Sequence, residues 1–199
     1  MLRTVSRLFS VLFVIVLVNA CATKTHEVKE ITEADSVSGS LPIYKEAIAA
    51  AREGRTEKAI ELFKKITQED PDSATAYTDL GLQYLKNKDM DRAEKAFDKS
   101  ILLDQASYVA YNHRGVIQRI RGDFFGAKDM YLKAIKYKPD YANAHLNIAI
   151  LFDIYLYDLK QALYHYKKYQ SLTGNNDELV GKWVVDLERR IADEEGRNK

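Results

Sequence analysis

The chain of 199 residues has one cysteine, three prolines and no surplus of either charge. A lone cysteine excludes an internal disulfide and paired-cysteine metal or redox sites. So few prolines, with nine glycines, exclude a turn-dense β-sandwich, and a composition rich in Ala, Leu, Ile, Tyr, Lys and Glu favours helices. Thirty Lys and Arg stand against 29 Asp and Glu, so no global field draws the protein onto nucleic acid. At 22.8 kDa the chain is too short for a large multidomain enzyme. With 46% hydrophobic and 30% charged residues, the body has enough apolar surface to fold. An all-α protein is expected.

Catalytic signatures are missing as well. The sequence contains no Gly-rich phosphate loop, no H-E-x-x-H and no G-x-S-x-G. Acidic residues are scattered along helix faces, and no spacing marks an acid and base pair. Of the four histidines, His26 falls in an irregular N-terminal segment and His113, His145 and His165 on different helices. His145 occupies the position of Tyr77 and Tyr111 in neighbouring repeats, which assigns it to packing rather than to a metal. The expectation is a non-enzymatic protein without cofactor or metal.

The first twenty residues carry Arg3 and Arg7, then an apolar run over residues 8–18, then Ala20, the layout of an export signal. As a helix that run would span about 16 Å, against a hydrocarbon core of about 30 Å. The sole cysteine, Cys21, follows at once, and Val18-Asn19-Ala20-Cys21 resembles the lipobox of bacterial lipoproteins. That resemblance implies acylation of Cys21 after removal of residues 1–20, hence a tether of several acyl chains rather than a membrane span. In the sorting rule of such lipoproteins an Asp after the cysteine retains the protein at the inner membrane. Here Ala22 implies the outer membrane, facing the periplasm. Residues 22–40 lack helical period and end in Ser36-Val37-Ser38-Gly39-Ser40, a linker composition with a root-mean-square reach of about 24 Å.

Beyond residue 40 the sequence repeats itself. Ala47, Gly81, Gly115 and Ala149 are 34 residues apart. Ala59, Ala93 and Ala127 keep the same step, with Ala162 one residue late, and Phe63, Phe97, Tyr131 and Tyr166 follow each by four. Ile43, Tyr77, Tyr111 and His145 always precede the small residue by four. This pattern resembles the tetratricopeptide repeat (TPR). The resemblance implies an α-α superhelix, a TPR solenoid of four helix pairs over residues 41–73, 74–107, 108–141 and 142–174. A capping helix and frayed tail would fill residues 175–199. The physics is that a small residue in the first helix of a pair lets the second approach, and the aromatic fills the space beside it. Within the second unit the spacing predicts helices over residues 74–87 and 90–103. The fourth unit carries one extra residue in its turn, Tyr155-Leu156-Tyr157-Asp158, with no Gly or polar break. Asn175 and Asn176 are the expected caps of a last helix over residues 177–192, in which Trp183 anchors the stripe and residues 193–199 fray. Tyr155, Tyr157, Tyr164, Tyr166 and Tyr169 are expected to pack the last repeat onto that helix.

What the repeat offers is a surface, because the first helices line the hollow side of such arrays. Residues mapped there by the resemblance are Thr75, Asp79, Leu82 and Lys86 in the second unit. The third gives Val109, Asn112, His113, Val116 and Arg119, and the fourth Asn143, Asn147, Ile150 and Asp153. An amide such as Asn112, Asn143 or Asn147 can hold both the N–H and the C=O of an extended peptide. The family's clamp for C-terminal carboxylates is not conserved in kind here, since Tyr44, Ile48, Asp79, Val109 and His113 stand in its five places. Arg114 takes a position held by Leu80 and Ile148 and is expected to reach an edge or an acid. Arg119, between Asp79 and Asp153, is a candidate for an internal ion network. The expected role is a lipid-anchored scaffold or adaptor that binds a protein or peptide partner and assists an envelope complex. Alternatives are a periplasmic small-ligand carrier or enzyme subunit with a pocket at Tyr155, Tyr157 and Tyr164, and a structural lipoprotein that self-associates.

Overall fold

The computed structural model describes residues 42–197, so the expected export signal, Cys21 and the expected linker lie outside the described residues. The described residues form α1 (Pro42–Arg52), α2 (Thr56–Glu69), α3 (Ala74–Lys86), α4 (Met90–Leu103), α5 (Tyr108–Ile120) and α6 (Phe124–Tyr137). They continue with α7 (Ala142–Ile150), a π-helical turn (Leu151–Leu156), α8 (Leu159–Leu172) and α9 (Glu178–Arg197). No strand occurs among them. The helices pack as the pairs α1–α2, α3–α4, α5–α6 and α7–α8, with each pair resting on the next and α9 on α8.

The seam within each pair has the small-against-large form that the sequence implies. A Cβ at Gly81 would sit 2.6 Å from the Phe97 ring, and one at Gly115 would sit 2.6 Å from the Tyr131 ring. Ala47 with Phe63 and Ala149 with Tyr166 fill the same places in the outer pairs and are fully buried.

Each turn within a pair uses one left-handed residue, at Gly54, Lys88, Gly122 and Tyr157. The next residue's N–H then reaches back to close the helix: Arg55 to Ala50 O, Asp89 to Tyr84 O and Asp123 to Gln118 O, at 2.8 to 2.9 Å. These are 6→1 closures of the Schellman kind. In the fourth pair Asp158 reaches Phe152 O at 3.0 Å, one residue farther. The inserted residue is therefore absorbed as a π-helical turn, without moving the cap. Asp89, Asp123 and Asp158 then accept the N–H of Arg92, Gly126 and Gln161, and cap the second helix of their pairs.

Two details at the end of the chain differ from expectation. Asp177, not Asn175 or Asn176, caps the last helix, its Oδ1 accepting from the N–H of Leu179 and Val180 at 3.1 Å. Asn175 instead takes the left-handed conformation after α8, and Asn176 Nδ2 bonds Thr173 O. The helix also runs on to Arg197, with Lys160 paired to Glu195 at 2.9 Å and Arg197 Nε donating to Asp193 O along it. Val180, Val184 and Leu187 bury the stripe against α8, and Trp183 packs on Tyr166 at 5.6 Å.

Gly81→Ala and Gly115→Ala test the seam. Overpacking costs about 1 to 3 kcal/mol, from which a helix-propensity gain of about 1 kcal/mol is subtracted. Both variants should lose stability in urea denaturation. Gly196→Ala in α9, whose added Cβ meets nothing within 4 Å, should gain up to about 1 kcal/mol.

Candidate functional site: the face of the first helices

The first helices of successive pairs are tied edge to edge by polar side chains. Tyr44 of α1 donates to the buried Asp79 of α3. Asn147 Nδ2 of α7 donates to Oδ1 of the buried Asn112 of α5 at 2.9 Å. Lys86 is exposed at the end of α3, and its Nζ reaches back to Ala51 O at 3.2 Å. These bonds explain why helix-disfavouring Asp and Asn occur in mid-helix: each satisfies a neighbour that burial would otherwise leave unpaired.

The structure divides the expected lining residues into two groups. Asp79, Leu82, Asn112, Arg119 and Ile150 are buried, whereas Thr75, Val109, His113, Val116, Asn143 and Asn147 are half-buried. His113 stacks on Phe97 at 5.6 Å. Asp153 is closed by Arg190 of α9 at 2.7 Å. Burial pushes its carboxyl up against the opposing pull of Arg190. The expected network of Arg119 with Asp79 and Asp153 does not form. Asp79 takes Tyr44, Asp153 takes Arg190, and the groups facing Arg119 are the phenols of Tyr131 and Tyr155. Arg190 lies beyond the repeats, so no spacing in the sequence signalled its role.

Arg114 finds acids, as expected of a charge at a normally apolar position. It pairs with Glu94, and with Asp98 at 2.7 Å, across the α4–α5 boundary. Arg121 joins the same cluster through Asp91 at 2.6 Å and through Glu94. The desolvation that would raise the Glu94 carboxyl is outweighed by the two arginines, which hold it below the usual range.

The tyrosine cluster is split. Tyr166 and Tyr169 are buried toward α9, with Tyr169 Oη donating to Asp177 at 3.1 Å. Tyr155 packs on Phe124 at 4.5 Å. Tyr157 and Tyr164 are exposed, and the cleft beside Tyr157, lined by Lys160, Ile191, Glu194 and Glu195, is open to solvent. Among the described residues no group of three His, Cys, Asp or Glu is placed to hold a metal, and no helix is long and apolar enough to cross a membrane.

A buried histidine pair went unforeseen. His145 Nδ1 and His165 Nδ1 are 2.9 Å apart, and His145 Nε2 lies 3.1 Å from Pro139 O. A carbonyl can only accept, so His145 carries a proton on Nε2; burial disfavours a charged ring, and its Nδ1 therefore accepts from Nδ1–H of His165. Both rings are therefore neutral, each in one tautomer. Burial, and secondarily His145, push His165 down to about 4, and burial pushes His145 down against the Pro139 bond. The histidines fall on separate helices with no shared motif, which is why the sequence did not pair them.

The sign of the pH effect follows. The unfolded chain protonates His165 near its ordinary value of about 6.5, while the folded chain does not until about 4. Stability is fully present above the unfolded value and falls as pH drops below it. Between pH 7 and pH 5 the loss from this site should be about 2 kcal/mol. His165→Phe, stacked on Phe152 as the imidazole is at 5.9 Å, should flatten that part of the profile in urea melts. An unchanged slope would refute the assignment.

With this geometry in view, the likenesses to known proteins can be placed. A sequence model described as the tetratricopeptide repeat matches residues 50–111. Human mitochondrial import receptor subunit TOM70 is 38% identical over 91 residues, which is 45% of this chain and 15% of the receptor. The chain thus spans a small part of that relative's length. Among solved structures, PilF of Pseudomonas aeruginosa superposes with a TM-score of 0.67 at 19% identity, covering 82% of this chain and 72% of that one. The first TPR domain of Spaghetti (RPAP3), bound to the HSP90 peptide SRMEEVD, gives a TM-score of 0.53 at 19% identity, covering 56% and 88%. The helix-pair array is a tetratricopeptide-repeat fold, and the match over residues 50–111 supports that repeat family for this chain.

Proposed function

We propose that the chain is a non-enzymatic scaffold that binds a protein or peptide partner on the hollow face of its repeats. The supporting observation is the set of half-buried side chains on α3, α5 and α7, Thr75, Val116, Asn143 and Asn147, while the seams behind them are filled by the protein's own aromatics. Stacked helix pairs present such a face as an extended concave surface. The neighbour bound to the HSP90 peptide SRMEEVD has the same fold. The residues in the family's carboxylate-clamp places differ here, so the partner would be recognised through other contacts. In this reading Lys86 and Val116 lie at the accessible rim and centre of the contact area.

The same reading includes acylation of Cys21, anchorage at the outer membrane on the periplasmic side, and a role in assembling an envelope complex of the pilus or secretin, TonB-type or cell-wall kind. Lipidation concentrates a scaffold in two dimensions beside its client. The open cleft at Tyr157 lacks the enclosure that a small-ligand carrier needs, which favours the scaffold.

Capture from membranes tests both halves together. Wild type should incorporate palmitate and recover a specific partner. Cys21→Ser should lose the label and become soluble, and Lys86→Glu with Val116→Arg should keep the label while recovering about tenfold less partner, about 1.4 kcal/mol. Equal recovery by wild type and the double variant would defeat the groove, and label on Cys21→Ser would defeat the anchor.

A further inference from the structure

Arg119 is the buried cation of this face that no carboxylate meets among the described residues. Arg114, Arg121 and Arg190 each meet a carboxylate. Arg119, on α5, is 8% exposed and makes no ion pair among the described residues. Its buried Nε has no hydrogen-bond partner, and the buried phenol of Tyr131 faces the guanidinium. Burial pushes the Tyr131 phenol up, so it stays neutral and supplies no counter-charge. The phenol of Tyr155 also faces the guanidinium. An unpaired guanidinium withdrawn from water is costly, and such groups are normally matched by an anion.

The next repeat shows how a charge at this position is completed. Asp153 stands 34 residues after Arg119, and Arg190 closes it. At Arg119 the corresponding closure is missing. Nε is the sealed, unbonded nitrogen of the guanidinium. Val116, one turn earlier on α5, is half-buried and packs in the same apolar cluster as the buried Ile150 of α7. A planar guanidinium in low dielectric binds a carboxylate by two parallel N–H···O bonds far better than it binds a phenol.

We propose that Arg119 is the charged anchor of the partner-binding face and takes a carboxylate of an extended protein partner, either an Asp or Glu side chain or a C-terminal carboxylate. This rests on the groove reading above and names the chemistry that completes it. The position is none of the five places of the family's carboxylate clamp, so the recognition is local to the third and fourth repeats.

Random heptapeptides displayed on phage test this against the full chain, in one library with the peptide internal and one with a free C-terminus. Wild type should enrich peptides with Asp or Glu at one fixed place, and their Asn or Gln counterparts should bind about tenfold more weakly. Enrichment confined to the free-terminus library assigns the terminal carboxylate, and enrichment in both assigns the side chain. Arg119→Met should abolish the acidic preference, and it should melt at the wild-type temperature or above, since it removes an unpaired buried charge. Peptides enriched without an acid would overturn the proposal and leave the groove standing, and no enrichment at all would overturn both. Collapse of the Arg119→Met fold would make the residue structural and overturn the proposal alone.

Discussion

The structure depends on one arrangement repeated four times: a buried residue with little or no side chain in the first helix of a pair, and a buried aromatic ring in the second. At Gly81 and Gly115 the ring lies where a Cβ would be, so the two backbones approach as closely as the ring permits. Everything else follows from that distance. It sets how each pair leans on the next, and so brings Tyr44 to Asp79 and Asn147 to Asn112 across neighbouring first helices. Close packing of this kind resists small changes in volume, which makes the seam both the source of order and the site where one methyl group matters most.

The repeat was legible in the sequence because its signals are periodic and local. The helix that the spacing predicts over residues 90–103 has those bounds in the structure. What was not legible depended on competition between near-equivalent residues. Asn175, Asn176 and Asp177 are all capable caps, and the winner is the carboxylate, which meets the positive end of the helix as a charge. The tail beyond residue 192 is helical, with Glu195 paired to Lys160, 35 residues away and sharing no motif with it. The extra residue of the fourth unit was visible as a late Ala162, but its absorption as a π-helical turn with left-handed Tyr157 is a backbone outcome that composition does not encode.

The candidate site was legible as a set of positions and not as a set of states. The repeat register placed the same face on α3, α5 and α7, yet burial then divided it. Asp79 and Asn112 became internal ties, Thr75, Val116, Asn143 and Asn147 kept some exposure, and Arg119 was enclosed beside phenols. Periodicity carries no information about which polar group finds a partner, because that is decided by residues a whole repeat or more away. The His145–His165 pair makes the same point, since its two rings meet only because α7 and α8 are held together by the seam.

The most direct test of the seam is a double-mutant cycle on Gly81→Ala and Phe97→Leu, read by chemical denaturation. If the glycine exists to admit the ring, the smaller leucine relieves the added methyl. The double variant should then lose at least about 1 kcal/mol less than the sum of the single losses. Strict additivity would contradict the account, because it would mean that Gly81 and Phe97 stabilise the pair independently.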